Sequence, residues 1–131
     1  MVIDTSALIA IMLEEAGADG FLDAIDADAT RLMSAAGFVE TGIVLATRAG
    51  PGARSDLLDL IAEIGIEVIP VDLAQANLAL QAYQRFGRGN HPAALNFGDC
   101  FAYALAEAYG EPLLFKGDDF AKTPVATALS R

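Results

Sequence analysis

Met1-Val2-Ile3-Asp4-Thr5-Ser6-Ala7 opens the chain. A short apolar run that ends in an acid reads as a buried strand carrying a carboxylate to its C-terminal end. Ser6 is then predicted to cap a helix over about Ala7 to Glu14. That leaves Asp4 at the end of an apolar strand, where an unpaired carboxylate is costly. An N-cap role for Asp4 itself is the competing reading.

The same alternation recurs along the chain. Gly17 and Gly20 bracket the entry to a second helix with Phe21, Leu22 and Ile25 inward. Arg31 to Ser34 reads as a strand, and Ser34 caps a helix to about Arg48, ended by Gly50-Pro51-Gly52. A helix over Arg54 to Glu63 precedes a strand at Ile66 to Ile69. Asp72 and Gln75 are expected to form a capping box for a helix with the stripe Leu73, Ala76, Leu80 and Tyr83. Phe86 to Phe97 is predicted as a loop. A helix over about Gly98 to Tyr109 stops at Gly110 and Pro112. Leu113 to Phe115 follows as a strand, and Val125 to Leu129 as a short final one. Strands alternating with helices predict an α/β sandwich with a mostly parallel sheet.

The 131 residues fit one domain. Hydrophobic residues at 54% and charged residues at 20% place the chain among globular proteins, not disordered ones. The single cysteine, Cys100, excludes an intramolecular disulfide, argues against a cysteine metal site and fits a reducing cytoplasm. No basic stretch precedes the first apolar residues, so no signal peptide is expected. No apolar run approaches the ~20 residues that span a bilayer. There is one histidine, no Gly-x-Ser-x-Gly elbow and no phosphate-cradling Gly-rich loop. The net charge of −10 opposes general affinity for a polyanion. It points to acids gathered around cations, to a surface for a basic partner, or to both.

Ligands of such folds sit beyond the carboxyl ends of the strands, and the polar residues there are acids. Asp4 ends the first strand. Glu40 has Ala36, Gly37, Ile43 and Val44 as helical neighbours, none of them basic, so an inward face is expected; a solvated glutamate is the ordinary alternative. Asp99 opens a helix, where capping alone would explain an acid. Of Asp118 and Asp119, one is expected to cap the turn at Phe120 and the other to face the site. Carboxylates converging at one end of a sheet repel one another unless cations intervene. An oxygen-only set selects Mg²⁺ or Mn²⁺. Such ions support phosphodiester hydrolysis.

With these residues in view, Val2-Ile3-Asp4-Thr5-Ser6-Ala7 followed by Glu40 resembles the PIN-domain nucleases. The segments Asn96-Phe97-Gly98-Asp99-Cys100-Phe101-Ala102-Tyr103 and Leu114-Phe115-Lys116-Gly117-Asp118-Asp119-Phe120 resemble VapC-type toxins. The resemblance covers nearly the whole chain. It implies a PIN-like three-layer α/β/α sandwich, Mg²⁺- or Mn²⁺-dependent RNA cleavage, a homodimer and inhibition by a VapB-type antitoxin. Asp4, Glu40 and Asp99 match the family's acids. Many family members carry an acid at the position of Gly117, whereas here Asp118 and Asp119 come one and two residues later. Asp4, Glu40, Asp99 and Asp118 are the expected metal ligands, with Asp119 beside them in the catalytic set. The resemblance also implies that Thr5 or Ser6 adds a hydroxyl to the site.

Arg85, Arg88, Lys116 and Lys122 flank the two late motifs, and His91 shares a loop with Arg88. Arg85, Arg88 and Lys116 are expected to form a phosphate-binding rim; solvated surface charge is the alternative, and His91 is read as a loop cap and not as a base. Leu8, Ile11, Met12, Phe21 and Leu22 are the expected self-association face. Two rival functions remain. One is an Mg²⁺-dependent phosphohydrolase forming an aspartyl-phosphate, which would usually have a second acid where Ser6 stands. The other is a catalytically silent module on the same fold.

Overall fold

The computed structural model describes residues 1–129. Val2–Ile3 forms β1, and the chain passes directly into α1, Thr5–Met12. α2 is Ala18–Asp26, β2 is Leu32–Ser34, α3 is Ala35–Ala49 and α4 is Ala53–Ile64. β3, Glu67–Ile69, leads to α5, Leu73–Phe86. α6, Phe97–Tyr109, precedes β4, Leu113–Leu114, and a 3₁₀ turn covers Phe120–Lys122.

The strands lie in the order β3-β2-β1-β4 and all pair in parallel, as the strand–helix alternation predicts. Parallel strands covered on both faces must be apolar on both faces, and the pairs Val2–Ile3, Leu32–Met33 and Leu113–Leu114 are, whereas the edge strand β3 exposes Glu67 and Val68. Val2, Leu32 and Leu113 point into a core with α5 and α6, among them Ala79, Phe86, Tyr103 and Leu105. Their successors Ile3, Met33 and Leu114 point the opposite way, into a core with α1 to α4 that includes Leu8, Phe21, Leu45 and Leu57. The period of two along each strand therefore sorts the molecule into the three layers of an α/β/α sandwich.

Several boundaries differ from expectation. α1 begins at Thr5, and Asp4, not Ser6, is its N-cap, accepting the Ser6 N–H. Asp72 accepts the Gln75 N–H, but no return bond from Gln75 closes a box among the described residues. Val125 to Leu129 is no strand; a single parallel bridge, Leu113 to Thr127, is what remains of it. Leu8 and Phe21 are buried core, so they are not free for the expected self-association face; Ile11 and Met12 are partly buried against that core, and Leu22 is half-buried. Exposed large apolar side chains include Ile43 on α3, Leu80 on α5 and Phe97 at the start of α6. Among the described residues no helix is long and apolar enough to cross a membrane.

Candidate active site

Asp4 leaves β1 at the carboxyl edge of the sheet and is 5% exposed. Its Oδ2 accepts from Ser6 N at 3.0 Å and from Ser6 Oγ at 2.6 Å. Burial pushes this carboxyl above its ordinary value against the pull of the Ser6 bonds, and the Glu40 charge pushes it further.

Asp99 reaches the same edge from the start of α6. Burial is the main force raising its carboxyl to about 7; the Asn96 N–H opposes, and the charges of Asp4, Asp119 and Glu40 add to the rise. Four carboxylates from four places in the chain thus act on one another: the β1 exit, α3, α6 and the segment after β4. Of Asp118 and Asp119, Asp119 is among the main charges felt at Asp99. Both are exposed.

Glu40 is half-buried on α3. Its carboxylate lies directly on Gly98, so close that a β-carbon there would collide with Glu40 Oε2. Gly98 is the second residue of α6, so this approach seats a carboxylate against the positive end of a helix. The expected inward turn of Glu40 is present, produced by a residue 58 positions later in the chain.

Three hydroxyls hold the frame. Ser6 Oγ, besides donating to Asp4, accepts the Lys116 N–H at 2.9 Å and so ties the β1 exit to the segment after β4. Thr5 Oγ1 accepts from the wholly buried Thr41 at 3.0 Å and lies 3.2 Å from the Gly37 carbonyl, joining α1 to the turn of α3 that carries Glu40. Thr5 and Ser6 therefore face protein partners here.

The basic residues divide. Lys116 Nζ pairs with Glu15 at 3.0 Å. Arg85 does not join the acids: it pairs with Glu107 at 3.5 Å and lies over the Phe86 ring. Glu107 is eight residues beyond Asp99 on α6, roughly 12 Å along the helix. Arg88 instead lines a groove with Asn96 and Phe97 at the α6 start. Lys122 is exposed in the 3₁₀ turn. His91 caps its own loop, its Nδ1 accepting the Ala93 N–H at 3.0 Å, with its ring edge-on to Phe86.

A reciprocal capping box between Asn96 and Asp99 was missed in the sequence. The Asn-x-x-Asp spacing that signals it was present. Asp99 is thus both a cap and a member of the acid cluster.

The donors are oxygen throughout, and two of them are carboxyls raised by burial and mutual repulsion. That chemistry suits a hard divalent cation. Among the described residues no three acids converge into a closed cage. An ion that keeps several waters and takes one or two carboxylates fits such a spread; a fully dehydrated one does not.

Fold and site together define an acid-site α/β/α protein, a parallel sheet whose carboxyl edge gathers carboxylates from four segments. The chain belongs to the PIN domain family, whose model matches residues 1–126. Ribonuclease VapC30 of Mycobacterium tuberculosis is 48% identical over 129 residues, 97% of each chain. Ribonuclease VapC of Mycolicibacterium smegmatis is 49% identical over 128 residues, 96% of this chain and 98% of that one. Among solved structures, Mycobacterium tuberculosis VapC20, a sarcin-ricin loop cleaving toxin, superposes with a TM-score of 0.78 at 17% identity, covering 95% of each chain. A chain of a toxin–antitoxin complex from Klebsiella pneumoniae superposes with a TM-score of 0.71 at 18% identity, covering 97% of this chain and 96% of that one. At these identities the two structures establish the shared fold.

Proposed function

We propose that this chain is an Mg²⁺- or Mn²⁺-dependent endoribonuclease, the toxin half of a toxin–antitoxin pair. It works as one PIN domain in the cytoplasm, forms homodimers and is silenced by a VapB-type antitoxin. The observation that carries the reading is 48% identity to ribonuclease VapC30 across 97% of both chains. VapC ribonucleases of this family generally depend on divalent metal.

Asp4, Asp99, Glu40 and Asp119 are the residues that would hold the ion. When bound, it supplies positive charge at the scissile phosphate and acidifies a water. The chain does the rest. Ser6 fixes the Asp4 carboxylate, and burial around Asp4 keeps bulk water from it. The Asn96 N–H holds Asp99 Oδ2 in place. Glu40, seated on Gly98, brings a carboxylate to the ion from α3. The aspartyl-phosphate alternative is disfavoured because the residue two after Asp4 is a hydroxyl that donates to it.

Purified protein should cleave RNA with Mg²⁺ or Mn²⁺, lose that activity in EDTA and leave a phosphomonoester intact. Asp4→Asn and Asp99→Asn should each abolish most of the cleavage, and co-expressed antitoxin should suppress it. Full activity in EDTA, or in both variants, would overturn the mechanism.

A further inference from the structure

We propose that Phe97 is a stacking platform for an unpaired nucleobase of the RNA, with Arg88 across the adjoining groove set to meet a phosphate. The proposal deepens the ribonuclease reading and rests on it for the kind of polymer bound.

Phe97 is the first residue of α6, two before Asp99, yet 78% of it is exposed. Burying an aromatic is the normal gain of folding, so a phenylalanine left in water beside an acid cluster asks for an occupant. Its ring is held, resting on Phe101 at 4.9 Å between centroids and 75° between planes. Phe97 is also the shared wall of two grooves. One, about 250 Å³, runs along α3 past Val39 and Ile43 to Glu40 and Gly98, and so is continuous with the acids. The other, about 550 Å³, lies between α5 and α6 and is lined by Leu80, Tyr83, Arg88, Cys100 and Phe101.

For an RNA substrate, the charge of the chain favours a hold on the bases over a hold on the backbone. A chain of net charge −10 cannot rely on phosphate attraction alone. Stacking is uncharged and tolerant of sequence. Lys116 and Arg48 are held by Glu15, and Arg85 by Glu107. Arg88 pairs with no carboxylate among the described residues and lines the Phe97 groove, which leaves its charge for a phosphate. A duplex hides its base faces, so the segment bound there is single-stranded: a loop, bulge or end.

The test uses the full chain as Asp99→Asn, so that RNA stays intact, and oligonucleotides with 2-aminopurine or an abasic site walked along an unpaired stretch. At one position 2-aminopurine should be quenched on binding, and Phe97→Ala should remove the quench. The same variant should weaken binding roughly five- to a hundredfold, the range for one lost base–aromatic stack. Phe97→Trp should restore it. The penalty should vanish when that position is abasic, which a merely structural role would not produce. Arg88→Ala should weaken binding and flatten its salt dependence. The subsite is wrong if Phe97→Ala leaves RNA affinity unchanged, costs the same on every abasic oligonucleotide, or acts only by dissociating a dimer or releasing the antitoxin. If wild-type protein neither binds nor cleaves RNA, the ribonuclease reading falls; if it cleaves and Phe97 is indifferent, the subsite alone falls.

Discussion

Asp99 and Asn96 hold each other at the start of α6, Asn96 Oδ1 accepting the Asp99 N–H and Asp99 Oδ2 accepting the Asn96 N–H, each at 2.9 Å. One carboxylate thus serves the helix and the acid cluster, and Asp99→Asn separates the two duties. An amide oxygen can still accept the Asn96 N–H, so the cap survives. Melting in EDTA should be unchanged or higher, because one of several repelling charges is gone. Cleavage should fall by more than the roughly 10- to 100-fold that loss of an outer-shell partner costs a metal site. The Mg²⁺-induced rise in Tm should shrink. An unchanged rise with an unchanged rate would return Asp99 to capping alone.

The pH dependence of the metal-free protein follows from the same residue. Its carboxyl stands at about 7 in the fold against 3.8 ordinarily. Between those values the folded chain keeps a proton that the unfolded chain has released. The stability this group contributes is therefore complete below the ordinary value and is lost as pH rises through the folded one. Asp4, also raised, acts in the same direction. Asp28, lowered chiefly by its bond from the terminal ammonium, acts oppositely, but below its ordinary value of 3.8 and outside this window. Melting in EDTA should be higher at about pH 5 than at about pH 8, and saturating Mg²⁺ should erase the difference. Equal apo melting temperatures would show that Asp99 does not titrate in this range.

Gly98→Ala tests the seat of Glu40. The new methyl would collide with the Glu40 carboxylate, the far end of a flexible side chain that can swing away. Alanine is also the better helix residue by up to ~1 kcal/mol. Stability should therefore hold or rise slightly while cleavage falls, an uncoupling that core damage does not produce. Glu40→Gln should lower cleavage to a similar degree, and the double variant should add little. Loss of stability with cleavage intact would remove Glu40 from the proposed mechanism.

The layers were legible because the inner strands and β4 alternate between two cores, as Val2 and Ile3 or Leu113 and Leu114 do. The acids were legible because they follow apolar runs. What local pattern could not supply was anything set by distant partners. Asp4 and Ser6 are both good caps two residues apart. Ser6 Oγ is occupied with Asp4 and with the Lys116 N–H, 110 residues away, and Asp4 takes the cap. Glu40 meets Gly98 only in the folded chain. Arg85 looked like part of the rim because it is near Arg88 in sequence, but it lies on a face of α5 that meets Glu107. Val125 to Leu129 had the composition of a strand, yet it makes one bridge at the sheet edge.

The last distinction is between two adjacent acids. Ser6 Oγ pins Lys116 N, and Gly117 then turns the chain with φ at 101°, a conformation that suits glycine. Of the two acids that follow that turn, Asp119 is the one whose charge adds measurably to the rise of the Asp99 carboxyl. Asp119→Asn is therefore expected to cut cleavage and the Mg²⁺-induced rise in Tm, whereas Asp118→Asn should leave both within about the ±0.5 kcal/mol typical of surface changes. A second readout needs no activity. Without Asp119 the Asp99 carboxyl loses one of the charges that raise it, so the fall in apo stability should move to lower pH in Asp119→Asn and stay in place in Asp118→Asn. If Asp118→Asn gives the large losses and the shifted profile, the segment after β4 turns its other acid to the site, and the fourth carboxylate is Asp118.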